Sequence, residues 1–353
     1  MNKAKKNHQY ELDLLRIIGA VNIVLFHYTF RGYAADNMSK LYFPVMGNIF
    51  KYGYFSVYIF FILSGYMIIL SSTNKSFSNF IYTRLLRLYP TFWISVCFTT
   101  LAAIFFRSNQ YHVGLKQFIV NLSMLNDYVG ISPVDGAYWF IFIILRFYLL
   151  ISLMLLFKVI KIHKYIAGLW LLFSLVIILF DIPKIGGLIM PTYAPFFVSG
   201  MIFCAAKKEG WDIYKYAVQF FALLFSLYIV NIQSEGLSSH YSTEFSKYFV
   251  SFIIIAIFLY MYLSTITKKH IVLPKIIITL SACTYPLYLI HQHVGFMIFN
   301  NFGEFSNKYV LLLATFAFMS ITSVLIVKYI EPYLYNLIFR IVPHQRINKK
   351  YKV

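Results

Sequence analysis

The sequence predicts an all-α, polytopic integral membrane protein of about ten transmembrane helices with both termini in the cytoplasm. Three observations lead there. Of 353 residues, 60% are apolar and 12% charged, with a mean hydropathy of +0.71, whereas a soluble domain carries ~25% charged residues. Apolar runs of spanning length recur along the chain, and the basic residues crowd into every second connection between them. Such a composition excludes a water-soluble enzyme and an intrinsically disordered chain. A disulfide-stapled scaffold is excluded too, because Cys97, Cys204 and Cys283 are the only cysteines and each sits in an apolar run.

A helix needs ~20 apolar residues to cross a bilayer. Runs of that kind fall at 14–31, 54–72, 88–106, 138–157, 165–180, 188–206, 216–232, 248–264, 278–299 and 309–330. The fifth and sixth are short, with Pro183 and Pro191 marking the break between them. Residues 1–13 then form a cytoplasmic tail, 14–332 the membrane domain and 333–353 a basic cytoplasmic tail. One set of alternate segments comprises the N-terminal tail, 73–87, 158–164, 207–215, 265–275 and the C-terminal tail. It holds 20 Lys and Arg. The opposite set (Arg31, Lys40, Lys51, Arg107, Lys116, Lys184, Lys247, Lys308) holds 8. Cytoplasmic loops retain the excess of positive charge, so this asymmetry sets an even span count and a multi-pass protein of the cell (inner or plasma) membrane. The formal charge of +19 is thus spread over many segments, which argues against nucleic acid as a partner. Two outside loops, 32–53 and 107–137, are long enough to matter.

Charge at membrane depth costs roughly 2.5–3.5 kcal/mol or more, so each such residue needs a partner or a purpose. In the first span, Arg16 and His27 are eleven residues apart. At ~100° per residue they share a helix face, with the imidazole ~16 Å deeper. An anionic donor with a long, thin, neutral arm suits that pair: phosphates at the guanidinium, which forms bidentate contacts, and a reactive end at the imidazole. Coenzyme A carrying an acyl group has that shape, and a histidine there can deprotonate an acceptor hydroxyl or carry the acyl group itself. The other reading is a snorkelling arginine and a buried structural histidine. Arg84 and Arg87, at i,i+3, share a helical face just before the third span and as a pair suit a phosphate-rich ligand, while either alone would serve equally as a positive-inside anchor.

Five motifs in order resemble the family-3 membrane acyltransferases: Asp13 and Arg16 followed by His27, FFILSGYMI (60–68), RLLRLYP (84–90), SACTYPLYLIH (281–291) and Tyr329-Ile330-Glu331-Pro332. The resemblance implies that Arg16 and His27 are the catalytic pair and that Arg84 and Arg87 help to hold acyl-CoA. Tyr66 and Tyr89 would line the donor channel or be interfacial aromatics, and Ser64 would be a nucleophile or a packing residue. Asp13, Tyr285, Tyr288 and His291 fall in matched motifs as supporting residues, and Glu331 would orient an arginine. One motif departs from the pattern: relatives carry a Trp followed five residues later by Glu, whereas Trp139 is followed by Ile144, with Arg146 nearby. Some relatives also add an extracytoplasmic esterase-like domain; without it, the acyl group is expected to pass directly to the final acceptor or to a separate protein.

The function expected is transfer of an acyl group, acetyl as the first expectation, from cytoplasmic acyl-CoA to a sugar hydroxyl of a cell-envelope polysaccharide or glycolipid. Asp36, Asp127, Asp135 and Trp139 are candidate acceptor contacts. Acyl-CoA is a substrate, not a resident cofactor. No metal is expected, because no His-x-x-x-His pair occurs and His291 and His293 diverge by ~160° on a helix. The remaining partners are membrane lipids and a cell-surface glycan or lipid-linked sugar. The competing function is a transporter or flippase for a lipid-linked saccharide, with Arg16 and His27 as a proton relay; it lacks the intramembrane acids that proton coupling needs.

Overall fold

The computed structural model describes residues 9–35, 37–267 and 273–341, and the described residues contain no strand. Helix α1, Tyr10–Phe26, opens with Glu11 and Asp13 in its first turn, where acidic side chains suit the helix dipole. It runs on through a π-helical turn, His27–Arg31. A short helix Pro44–Phe50 and a 3₁₀ turn lead into α2, Val57–Ser72. Ser76 caps α3, Phe77–Phe105, by accepting from the Asn79 amide. The chain continues with α4, Leu115–Leu122, α5, Trp139–Leu156, α6, His163–Leu179, and α7, Ala194–Glu209. Next come α8, Ile213–Tyr241, α9, Lys247–Ile266, and α10, Lys275–Phe302. Finally α11, Lys308–Leu325, passes through a second π turn, Ile326–Ile330, into α12, Glu331–Ile341.

Among the described residues nine helical segments are long and apolar enough to cross a membrane. Helix α10, 28 residues long, spans ~42 Å but is more polar, with Ser281, Thr284, His291, Gln292 and His293 in its length. It packs against α1, α3 and α11, so most of its polar side chains face protein, and with it the described residues make ten long helical passes. The third pass begins at Phe77 and not at 88. Arg84 and Arg87 therefore lie inside it, and Pro90 sits within the helix, where its missing N–H leaves one carbonyl without its helical partner.

Helix α7 is buried from Ala194 to Ala206, and its closest neighbour is α2. Two glycines permit the approach: a Cβ at Gly65 would run into the Phe197 carbonyl, and one at Gly200 into the Ile62 carbonyl. The Ser-Gly pair of α2 is thus a crossing of small residues, the usual means by which membrane helices bring their backbones together.

The 107–137 segment carries a helix of its own and folds back along α3. The Trp93 indole donates to the Leu122 carbonyl at 2.8 Å, and the Tyr89 hydroxyl to the Ser123 carbonyl at 2.8 Å. Trp93 lies ~18 Å along α3 from its Phe105 end, so α4 dips back to membrane depth. Irregular backbone survives there only when its polar groups are satisfied within the protein. The two aromatic donors cap the last carbonyls of α4. Asn121, fully buried, accepts from the Val134 amide at 3.0 Å and donates to the carbonyls of Gln117 and Ser132. Asp127 pairs with Arg146 at 2.9 Å.

Gly200→Ala is expected to lower the melting temperature of detergent-solubilised protein, at a cost of about 1–3 kcal/mol for forced overpacking. Gly236→Ala, at an α8 position with open space around it, should be neutral or slightly stabilising. Equal melting temperatures for the two variants would contradict the close α2–α7 crossing.

Candidate active site

The eleven-residue spacing on α1 points Arg16 and His27 into two cavities that meet at one side chain. The first, about 700 Å³, is lined by Arg16 of α1, Ser64 of α2, Arg84 and Arg87 of α3, Ser281, Tyr285 and Tyr288 of α10, and Glu331 of α12. Its walls thus carry three guanidiniums against one carboxylate. Phe60, Met67, Ile144 and Tyr148 supply apolar surface. The second cavity, about 250 Å³, is lined by His27, Arg31, Tyr54, Gly136, Trp139, Tyr193, Tyr241 and Tyr288, among others. Tyr288 belongs to both.

Two of the three arginines of the first cavity, Arg16 and Arg84, are anchored by neighbouring side chains. Arg16 donates through Nη1 to Ser281 Oγ at 3.1 Å and lies 3.5 Å from Asp13 Oδ1. The Ser281 hydroxyl in turn donates to Asp13 at 2.6 Å. Asp13, one turn before Arg16, thereby orients the arginine and its serine partner. Arg84 donates to Ser71 Oγ of α2; its guanidinium lies 5.1 Å from the Phe80 ring and 5.3 Å from that of Tyr148, an arrangement that favours cation–π attraction. Glu331 accepts from Thr91 Oγ1 at 2.5 Å and shares the cavity wall with Arg87. Both π turns abut this machinery, one at His27 and one just before Glu331, and such turns recur at functional sites.

In the second cavity His27 is buried. Its Nδ1 lies 2.9 Å from the Ile23 carbonyl and 3.1 Å from His291 Nε2, and Arg31 Nη1 is 3.5 Å from Nε2. Tyr288 donates to the Ala137 carbonyl at 2.8 Å and meets Phe140 edge-on at 5.5 Å. The turn bearing Ala137 is clamped to α10. Asp135 accepts from the amides of Ala137 and His293 at 2.8 and 2.9 Å, and the Gly136 amide donates to His293 Nε2 at 3.2 Å. Nearby, burial and the Asp135 charge push the Tyr111 phenol above its ordinary range, so it stays a neutral donor to the Met38 carbonyl at 2.5 Å.

The structure thus gathers Arg16, Ser64, Arg84, Arg87, Tyr285, Tyr288 and Glu331 around one chamber, with Asp13 behind Arg16. It brings His27 and Trp139 to the other, with His291 behind His27. Four candidates lie elsewhere. Tyr66 accepts from Gln9 at 2.7 Å and Tyr89 holds the end of α4, and neither lines either of these two cavities. Asp127 is half-exposed and paired with Arg146, and Asp135 is spent on backbone amides. Asp36 lies outside the described residues. Arg31, Tyr54, Tyr193 and Tyr241 were not legible as site residues. Arg31 carried one signal, its i,i+4 spacing from His27, whereas the three tyrosines converge only through tertiary packing. Among the described residues no three His, Cys, Asp or Glu side chains cluster as a metal site.

The geometry is thus that of a polytopic helical protein with a basic chamber backed by a histidine chamber. The family model described as an acyltransferase domain, that of acyltransferase family 3, matches residues 9–330, and the chain belongs to this family. Neither a curated protein nor a solved structure matches it significantly. Ile144, where the Trp-containing motif of relatives carries its acid, lines the basic chamber, so no carboxylate from α5 offsets the arginines there.

Ser281→Ala removes a hydroxyl that bonds Arg16 and Asp13 together. Steady-state kinetics should show the KM for the acyl donor rising roughly 10- to 100-fold, the worth of one hydrogen bond to a charged group, with kcat within twofold. An unchanged donor KM would mean that Ser281 does not hold Arg16 in its working pose.

Proposed function

We propose that the protein transfers an acyl group, acetyl in the first instance, from cytoplasmic acyl-CoA to a sugar hydroxyl of a cell-envelope polysaccharide or glycolipid. The observation that carries this reading is the pair of chambers sharing Tyr288, one rich in guanidiniums and the other built around His27. Arg16, Arg84 and Arg87 lie toward the end of the bundle that the basic residues assign to the cytoplasm, where they would bind the donor's phosphates. The pantetheine arm then extends along the apolar wall toward Tyr288, bringing the thioester to the boundary. Tyr54, Trp139, Tyr193 and Tyr241 surround His27 with flat faces and hydroxyls, surfaces suited to a sugar ring, and 250 Å³ accommodates one such ring.

In the reaction, His27 Nε2 takes the proton of the acceptor hydroxyl as its oxygen attacks the thioester carbonyl. The tetrahedral oxyanion forms within reach of the Arg31 guanidinium, which faces the same nitrogen at 3.5 Å and stabilises developing negative charge. Collapse breaks the carbon–sulfur bond, and the imidazolium returns its proton to the departing thiolate. The products are the acyl ester and free coenzyme A, and His27 is neutral again. Nothing is oxidised or reduced.

Mass spectrometry of cell-envelope glycans from cells with and without the protein tests the reading, an added acyl mass being the expected difference. His27→Ala should abolish that mass, with a drop of roughly 10²–10⁴ in rate from losing general-base catalysis, while the protein still inserts and expresses. Retained transfer would eliminate this mechanism. Arg16→Lys should raise the KM for acyl-CoA about tenfold, since a point charge does not reproduce a planar fork, and leave acceptor KM unchanged.

A further inference from the structure

The hydrogen bonds around His27 admit one arrangement of protons. At the far end, His291 Nδ1 faces two backbone acceptors, the carbonyl of Tyr288 at 2.8 Å and that of Leu287 at 3.1 Å. A ring nitrogen between two carbonyls must carry the hydrogen. At the near end, His27 Nδ1 faces the Ile23 carbonyl at 2.9 Å, so it too is an N–H. Between them, His291 Nε2 lies 3.1 Å from His27 Nδ1. Because His27 Nδ1 is already a donor, His291 Nε2 must be the acceptor, and His291 is the neutral Nδ1–H tautomer. The lone pair of His27 is left on Nε2. Arg31, which can only donate, faces that nitrogen at 3.5 Å, in agreement with an unprotonated Nε2.

We infer that His291 is a positioning residue which accepts from His27 Nδ1–H and so presets His27 as a base with its lone pair turned into the second cavity. This rests on the reading of His27 as the base and extends it to a residue that touches neither substrate. The logic matches that of hydrolytic triads, in which a third group fixes the tautomer and orientation of the histidine, but a neutral imidazole does the work here. His291 is fully buried and pinned by its own helix. Its backbone carbonyl accepts from the Tyr28 hydroxyl at 2.8 Å, which ties α10 to α1 one residue beyond His27. The acceptor atom therefore has little room to move. When His27 takes a proton in the reaction, the new charge strengthens the Nδ1–H hydrogen bond to His291, and the bond needs no rearrangement.

The test compares His291→Gln with His291→Leu in reconstituted acyl transfer, alongside His27→Ala. The Gln side-chain carbonyl reaches about where Nε2 stood and accepts the same hydrogen bond; Leu fills the space and accepts nothing. The Gln variant should stay within about tenfold of wild-type kcat, and the Leu variant should fall roughly 10²-fold or more, a loss in the range of acid–base catalysis, with donor KM unchanged. A Leu variant as active as wild type, beside an inactive His27→Ala, overturns this inference alone. An active His27→Ala overturns the function proposed above. Should both His291 variants fail to fold, ¹⁵N spectra of histidine-labelled wild-type protein decide the matter. Protonated Nδ1 and unprotonated Nε2 on His27 at neutral pH are expected, and the reverse tautomer overturns the assignment.

Discussion

The hydrogen bonds between α1 and α10 carry the site. Asp13 and Arg16 reach Ser281 near one end of the bundle, and His27 and Tyr28 reach His291 deeper in. The two spacings match: eleven residues from Arg16 to His27 on one helix, ten from Ser281 to His291 on the other, each ~15–16 Å. In an apolar interior a guanidinium or imidazole without a partner is costly, and removing one member of a buried pair strands the other. The two helices therefore hold each other in register through these polar groups. Ser281, Tyr285 and Tyr288, at i, i+4 and i+7, lie on one face of α10 and line one chamber.

That arrangement accounts for the polarity of α10. A span with two histidines, a glutamine and several hydroxyls would be poorly retained against lipid, but α10 is covered by α1, α3 and α11, and its side chains from Leu287 to Gln292 are all buried. The more uniformly apolar α6 and α9 have their spanning windows only 28% buried, so they meet the surroundings with aliphatic side chains. The polarity of α10 thus marks it as an inside helix, although apolar spans such as α2 lie inside as well.

The same physics decides how much could be read from the sequence. Spans, the basic asymmetry and the shared face of Arg16 and His27 follow from local periodicity, which a chain displays openly. Arg84 and Arg87 were legible as a pair for the same reason, though the helix holding them starts a full three turns earlier than its apolar run. The re-entrant segment was not legible. Its Asn, Asp, Gly and Ser content reads as surface loop, and only the distant Tyr89 and Trp93 reveal that those polar groups are satisfied at depth. This also explains why Tyr89, a plausible channel residue by motif, serves α4 instead. Arg31 reads as a loop charge in the sequence, because the π turn that carries it toward His27 leaves no mark in residue pattern.

A thioester close to a base in water hydrolyses, so an enzyme of the proposed kind must keep its acceptor chamber from becoming a hydrolytic one. Tyr288 occupies the boundary. Its ring rests on Phe140, its hydroxyl is spent on the Ala137 carbonyl, and its backbone carbonyl receives the His291 N–H. The residue that separates the chambers therefore belongs to the same hydrogen-bonded chain that fixes the His27 lone pair. Ala137 in turn sits on the turn clamped by Asp135 and His293, so the re-entrant segment ends on this boundary. Base, boundary and re-entrant segment share one set of hydrogen bonds. On the function proposed above, a donor that displaced the Tyr288 ring would load the same bonds that orient His27.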